Sequence, residues 1–191
     1  MSAILITGPA GEPLSLAEAK AFLRVEHGDD DELIGALIVG ARVHVEGQTR
    51  RALMTQSWRQ VHDDWPSDRP MAVWPAPVQA ITAARVYRAD GAVQVLDPEI
   101  FIVDTAGAPA RVSVEAGAAP PPGRAVAGIE IDFDAGYGDD PTDVPEPLRQ
   151  AMRLLIAHWY EHRGMAAVGQ SVAALPQALG PLLAPYKVLS L

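Results

Sequence analysis

The hydrophobic period of this chain changes twice, and those changes limit the folds open to it. Up to about residue 54, apolar side chains recur at helical spacing. From Thr55 the spacing becomes two, and near Pro145 it returns to the helical value. A helix repeats every 3.6 residues and a strand every two, so one pattern cannot serve as the other. The pattern predicts an α+β fold. Three main helices, at about 15–25, 30–46 and 145–163, form a small bundle, with a β-rich insertion between the second and third and a C-terminal arm. The corresponding division is a helical core at 1–54 and 138–169, a β-rich insert at 55–137 and a docking arm at 170–191.

Local grammar supports each helix. Ser15 and Glu18 have capping-box spacing, and Leu16, Ala19, Phe22 and Leu23 follow at helical intervals until His27-Gly28. Asp29-Asp30-Asp31-Glu32 opens the second helix, where carboxylates cap free N–H groups and favour the dipole. Leu33, Ile34, Leu37, Ile38, Ala41 and Val45 form its stripe, and Gly47 marks its expected end. Pro145 and Pro147 fit the first turn of the third helix, where a missing N–H costs little. Leu148, Met152, Leu155, Ile156 and Trp159 form its stripe, which ends at Gly164.

In the insert, residues 57–62 alternate, and prolines punctuate a stretch that carries Trp65 and Trp74. Val86-Tyr87, then Asp90-Gly91, then Val93 and Val95 predict a hairpin. Residues 100–104 and 111–115 predict a further strand pair, and 118–123 is a proline-rich loop. Ile129, Ile131 and Phe133 alternate with Glu130, Asp132 and Asp134, which predicts a half-buried strand with an acidic outer face. Residues 1–13 carry too short an apolar run and no basic n-region, so no signal peptide is expected, and Gly8-Pro9-Ala10-Gly11, which lacks the Gly-Lys-Ser/Thr of a phosphate loop, is expected to be a flexible lead-in.

Charge and composition exclude several classes. The chain has 191 residues, 15 Lys+Arg against 24 Asp+Glu, a net charge of -9 and no cysteine. No disulfide framework, thiolate nucleophile or thiolate metal site is possible. No basic cluster neutralises phosphates, so sequence-specific nucleic-acid binding is not expected. No apolar run reaches membrane-spanning length, so no membrane partner is expected.

One segment could carry chemistry. His158, Glu161 and His162 form H-x-x-E-H, with both histidines on one helical face and Glu161 as a plausible base for a metal-dependent hydrolase. That zinc chemistry also needs a carboxylate further downstream, and no Asp or Glu follows Glu161. The expected assignment is no enzyme, no catalytic residue, no metal and no cofactor. A third possibility is a β-domain binding module with Trp65 and Trp74 as ligand platforms. Residues 134–140 gather carboxylates around two glycines but lack the ligand spacing of an EF-hand loop.

Several landmarks then occur in a telling order. Leu16-Ala17-Glu18-Ala19-Lys20 with Leu23-Arg24 is followed by Asp30-Asp31, Leu33-Ile34, Leu37-Ile38, Ala41 and Val45-Glu46. Thr49, Arg51-Ala52-Leu53 and Gln56-Ser57-Trp58 lead into Pro75 and Val78. Phe133 to Gly138, Val144 to Ala151, Tyr160-Glu161 with Arg163, and Leu182-Leu183 with Pro185-Tyr186-Lys187 complete the set. In this order the chain resembles, over about residues 14–187, the head–tail connector (adaptor, head-completion) proteins of long-tailed phages and phage-like gene transfer agents. Lys187 departs from the arginine the resemblance leads one to expect. A lysine there cannot make a bidentate pair.

The resemblance implies a structural protein. It forms a homo-oligomeric ring, a dodecamer when assembled and a monomer in isolation, beneath the portal protein and above a neck or tail-completion protein. DNA passes through the channel without sequence-specific binding. The implied location is the neck of a virion or phage-like particle assembled in the bacterial cytoplasm. From Met165 to Leu191 the chain has no acid but many leucines and three prolines, Pro176, Pro181 and Pro185. Such a segment is poorly solvated, and its prolines prevent one long helix. It is therefore expected to dock on the portal or a neighbouring subunit through Leu175, Leu179, Leu182, Leu183, Tyr186 and Lys187, ordering only when it meets that site.

Overall fold

The computed structural model describes residues 2–66, 70–115, 117–162 and 176–188. Among these residues the fold is mixed α+β, with four α-helices and two antiparallel sheets. The chain divides into two compact units. One contains Met1–Pro9 and Thr55–Tyr137, the other Ala10–Met54 and Gly138–Leu191.

The first unit holds the strands β1 (Ser2–Thr7), β2 (Gln56–His62), β3 (Met71–Val73), β4 (Val78–Tyr87), β5 (Val93–Leu96), β6 (Phe101–Asp104), β7 (Ala110–Val114) and β8 (Ile129–Ala135). Five form a sheet in the order β1-β2-β8-β4-β5, and three form a second in the order β3-β7-β6. The expected hairpin is β4–β5, with Tyr87 opposite Val93 and Gly91 at φ 83, a left-handed value that glycine adopts without strain. The expected strand pair at 100–115 is β6–β7.

The buried interior of this unit includes Val73, Ala84, Val86, Val112, Ile129, Ile131 and Phe133. Gln60 is buried among them, satisfied by donating from Nε2 to the carbonyl of Ala72 at 2.9 Å and accepting from the Trp74 backbone N–H at 3.3 Å. A buried amide tied at both ends to the segment that contains β3 fixes that segment without leaving an unmet polar group.

Two expectations for this unit need correction. Residues 2–7 are an edge strand of this unit, in place of a part of the helical core. Alternation of apolar residues is absent in this run, and Ile4, Leu5 and Ile6 are all exposed, so neither face of β1 is buried. The acidic face of β8 is also not simply solvated. β8 is the central strand, and its carboxylates are engaged by the arginines of both neighbours.

The second unit holds α1 (Leu16–Leu23), α2 (Asp31–Thr49), α3 (Glu146–Glu161) and α4 (Leu179–Leu183). Ser15 caps α1 with the full capping box. The helix α2 runs through Gly47 to Thr49, because the Thr49 hydroxyl donates to the carbonyl of Val45 at 2.7 Å and the turn ends only when Arg50 adopts a left-handed conformation. Asp30, at the head of α2, makes no capping hydrogen bond from its side chain. It accepts from the hydroxyl of Tyr160, while Asp31 pairs with Lys20. The acids at this helix start therefore bind other helices as well as favouring the dipole.

α1, α2 and α3 pack against one another, and α4 packs on α3 and α2. Ile34, Ile38, Ala41 and Val45 of α2 meet Leu148, Met152, Leu155 and Ile156 of α3 in the buried interior. Arg149 ties α3 to the chain before α1, donating from Nε to the carbonyl of Pro13 at 3.1 Å and pairing with Glu18.

The proline-rich loop lies close against the β4–β5 turn. The backbone N–H of Gly123 donates to the carbonyl of Tyr87 at 2.8 Å, and a Cβ on Gly123 would meet the backbone N of Ala89 at 2.0 Å. Backbone cannot swing aside as a flexible side chain can. Gly123→Ala is therefore expected to lower stability by about 1–3 kcal/mol, as overpacking of a fitted site does. Chemical denaturation monitored by Trp fluorescence checks this, since Trp65 donates its indole N–H to Pro120 in the same loop at 2.9 Å.

Candidate functional site

Three groups of residues compete for a functional role: the C-terminal segment, the H-x-x-E-H turn and the faces and edges of the five-stranded sheet.

Of the C-terminal candidates, Leu175 lies outside the described residues. Leu179 and Leu183, one helical turn apart, are buried, as is Val188. The Val188 backbone N–H donates to the carbonyl of Thr49 at 3.0 Å, and Arg51 Nε donates to the carbonyl of Tyr186 at 2.7 Å. The free arm expected from the sequence is thus corrected for residues 176–188, which the structure builds into the chain's own helical unit. The physical reason is the spacing of Leu179 and Leu183, which gives a single-turn helix one apolar side to lay on α3. Leu182 and Tyr186 are half-buried, and Lys187 is exposed.

His158, Glu161 and His162 lie at the end of α3. The two imidazole centroids are 4.5 Å apart, and His162 Nδ1 sits 2.7 Å from the carbonyl oxygen of His158. That ring nitrogen is committed to the last turn of the helix. Among the described residues, no group of three or more His, Cys, Asp or Glu is arranged to hold a metal ion. Trp65 and Trp74 are half-buried. Trp65 has its indole N–H bound to Pro120 and its ring 6.1 Å from that of Phe101, so it serves the fold of its own unit.

The sheet carries a built charge network. Asp132 of β8 accepts from Arg59 Nε at 2.7 Å and Nη2 at 3.0 Å, and from Arg85 Nη1 at 2.7 Å. Arg59 Nη1 also lies 3.2 Å from Glu130 Oε2. Burial pushes the Asp132 carboxyl up, but the hydrogen bonds from Arg59 and then Arg85 outweigh it and leave the group below the usual carboxylate range. The same bonds raise Arg59. The network holds three strands in register and leaves no uncompensated charge at its centre. Nothing in it is poised for proton transfer.

The remaining candidates are apolar and exposed. Ile4, Leu5 and Ile6 of β1 and Val93 and Val95 of β5 are large, exposed hydrophobics at the two edges of the five-stranded sheet. Val39 and Val43 are exposed on α2. The β1 residues are not among the candidates read from the sequence. Their signal was a short strand-forming run, Ile4-Leu5-Ile6-Thr7, stopped by Gly8-Pro9.

Comparison with known proteins gives three results. Residues 13–85 match the model of the family described as phage gp6-like head–tail connector protein. No curated protein matches the chain. Solved structures match throughout. A chain from the neck of an empty GTA particle, computed with C6 symmetry, superposes with a TM-score of 0.83 at 25% identity, covering 100% of this chain and 97% of that one. A chain from the virion of a native gene transfer agent (GTA) particle gives 0.80 at 26% identity, again over 100% and 97%. A chain from the neck of a native GTA particle, computed with C12 symmetry, gives 0.79 at 25% identity, with the same coverage.

Two outcomes follow from this geometry. Asp132→Asn is expected to cost about 1.5–3 kcal/mol near neutral pH, the range for hydrogen bonds to charged groups. Because the folded carboxyl is depressed, its contribution is fully present above the unfolded value of about 4 and is lost as pH falls through the folded value. The stability gap between the two proteins should therefore narrow below about pH 4, which urea titrations at several pH values will measure. Separately, Leu183→Ala is expected to lower stability by about 2–5 kcal/mol, as for a leucine in a closed core. An unchanged denaturation midpoint would return residues 176–188 to the status of a free arm.

Proposed function

We infer that this chain is a structural head–tail connector, a subunit that joins a DNA-filled head to a tail. The observation that carries the inference is its superposition, along its whole length, on a chain from the neck of a GTA particle at a TM-score of 0.83. The family match over residues 13–85 supports it from the sequence side, spanning α1, α2 and the strands through most of β4. The polar groups support it too, since the carboxylates of the sheet are consumed by ion pairs and the described part of the H-x-x-E-H helix end holds its own turn.

The subunit works in a homo-oligomeric ring, dodecameric in the particle, between the portal and a neck or tail-completion protein. A ring of identical copies needs a heterologous interface that closes. The exposed apolar residues on β1, β5 and α2 are the surfaces such contacts need, being too large a set to leave in water. Leu182, Tyr186 and Lys187, the C-terminal residues that keep some exposure, are the part of that segment available to the portal or a neighbour. The net charge of -9 suits a wall along which DNA moves without adhering, because phosphates find no matching basic patch. Assembly takes place in the bacterial cytoplasm.

Disruption of the gene is the test. Particles made without the chain are expected to be DNA-filled heads lacking tails, seen by negative-stain electron microscopy, and tail attachment should return when the chain is supplied. Tailed, infectious or transducing particles in its absence would overturn the connector role.

A further inference from the structure

We propose that the five-stranded sheet continues from one copy of this chain into the next, with β5 of one subunit pairing with β1 of its neighbour. The inference rests on the connector function only for the closing of such contacts into a ring.

Both edges of the sheet are unpaired among the described residues, since the order ends at β1 on one side and β5 on the other. Edge strands normally carry charge or proline that discourages pairing. Here neither strand does: β1 reads SAILIT and β5 reads VQVL. Both are apolar and open. Ile4 is 52% exposed, Leu5 46%, Val93 49% and Val95 69%. The lengths match as well. The register of β1 against β2 is unbroken from Ser2 to Leu5 and slips only between Leu5 and Thr7, and β5 has 4 residues.

The sense and the faces also match. Every neighbouring pair in the sheet is antiparallel, so β1, β8 and β5 run one way and β2 and β4 the other. A β5–β1 contact between copies is then a parallel ladder that a rotation about an axis along the strands can repeat. Directly opposed residues share a face. Ile4 lies opposite Arg59, Arg59 opposite Asp132, and Val95 opposite Arg85, which binds Asp132 and lies opposite Glu130. Ile4, Val93 and Val95 therefore share the face of the ion-pair network. Leu5, opposite Trp58, shares the other face with Leu96, opposite Ala84. Joining β5 to β1 sets apolar against apolar on both faces. A two-fold contact of β1 with β1 would cover one edge and leave Val93 and Val95 in water.

The absence of cysteine makes the test clean. Full-length Ile4→Cys/Val95→Cys and Ile4→Cys/Val93→Cys chains are purified and also incorporated into particles, then treated with a short bifunctional thiol crosslinker. Denaturing gels without reductant are expected to show a ladder of multimers from particles. Leu5→Cys/Val95→Cys, whose thiols lie on opposite faces, should give monomer. Monomer alone from both same-face pairs in tailed particles overturns the edge pairing while leaving the connector function intact. Dimer from Ile4→Cys alone overturns it in favour of a two-fold contact. If the chain is absent from particles, the connector function fails. The concentrated purified chain then decides the pairing, a ladder supporting it and monomer overturning it. Leu5→Lys/Val95→Lys, which charges two exposed positions, is expected to keep the circular dichroism of the parent and to be lost from particles. Incorporation into particles unchanged by these charges also overturns the proposal.

Discussion

Asp132 sits between two arginines that come from strands far apart in the chain, and the β unit depends on that meeting. Arg59 reaches it from β2 and Arg85 from β4. Without β8 between them, β2 and β4 have no partner in common. The buried carboxylate answers two cations, so loss of either arginine still leaves it paired, whereas loss of the carboxylate leaves both cations to share Glu130 alone. The network therefore fixes strand identity as well as adding stability. A sheet with the strands in another order would bury these charges unpaired.

The helical unit uses arginine in a similar way but at its margins. Arg42 bonds Glu12 at 2.8 Å and Glu46 at 2.9 Å, and Arg149 bonds Glu146 at 3.1 Å as well as the segment before α1. These cations are few in a chain of net charge -9, and the structure spends them inside. Each is met by carboxylates of its own unit, so the pairs neutralise both signs where they lie.

Much of this was legible in the sequence because its signals are local. The capping box at Ser15, the Asp90-Gly91 turn, the proline-marked start of α3 and the two changes of period each depend on neighbours within a few residues. What was not legible depends on distant partners. Strand β1 has no alternation to betray it, and its pairing with β2 spans more than half a hundred residues of chain. The spacing of Leu179 and Leu183 announced a buried side, but sequence alone does not say whether α3 of the same chain or a neighbouring subunit covers it. The ion pairs of β8 were hidden in the same way: alternating acids look solvated until the arginines opposite them are known.

The chain passes between its two units at residues 9–10, 54–55 and 137–138, so neither unit is a continuous piece. On the ribosome this imposes an order. α1 and α2 emerge early, yet α3, their main partner, follows only after residue 146. β1 and β2 pair with each other but wait for β8 to be made before the sheet has a centre. Long-range closures of this kind are slow, and apolar strand edges stay uncovered in the interval. The nascent subunit is thus most prone to stray association until the stretch that carries β8 and α3 has been synthesised. A cell that makes many copies at once gains from keeping translation of that final stretch quick.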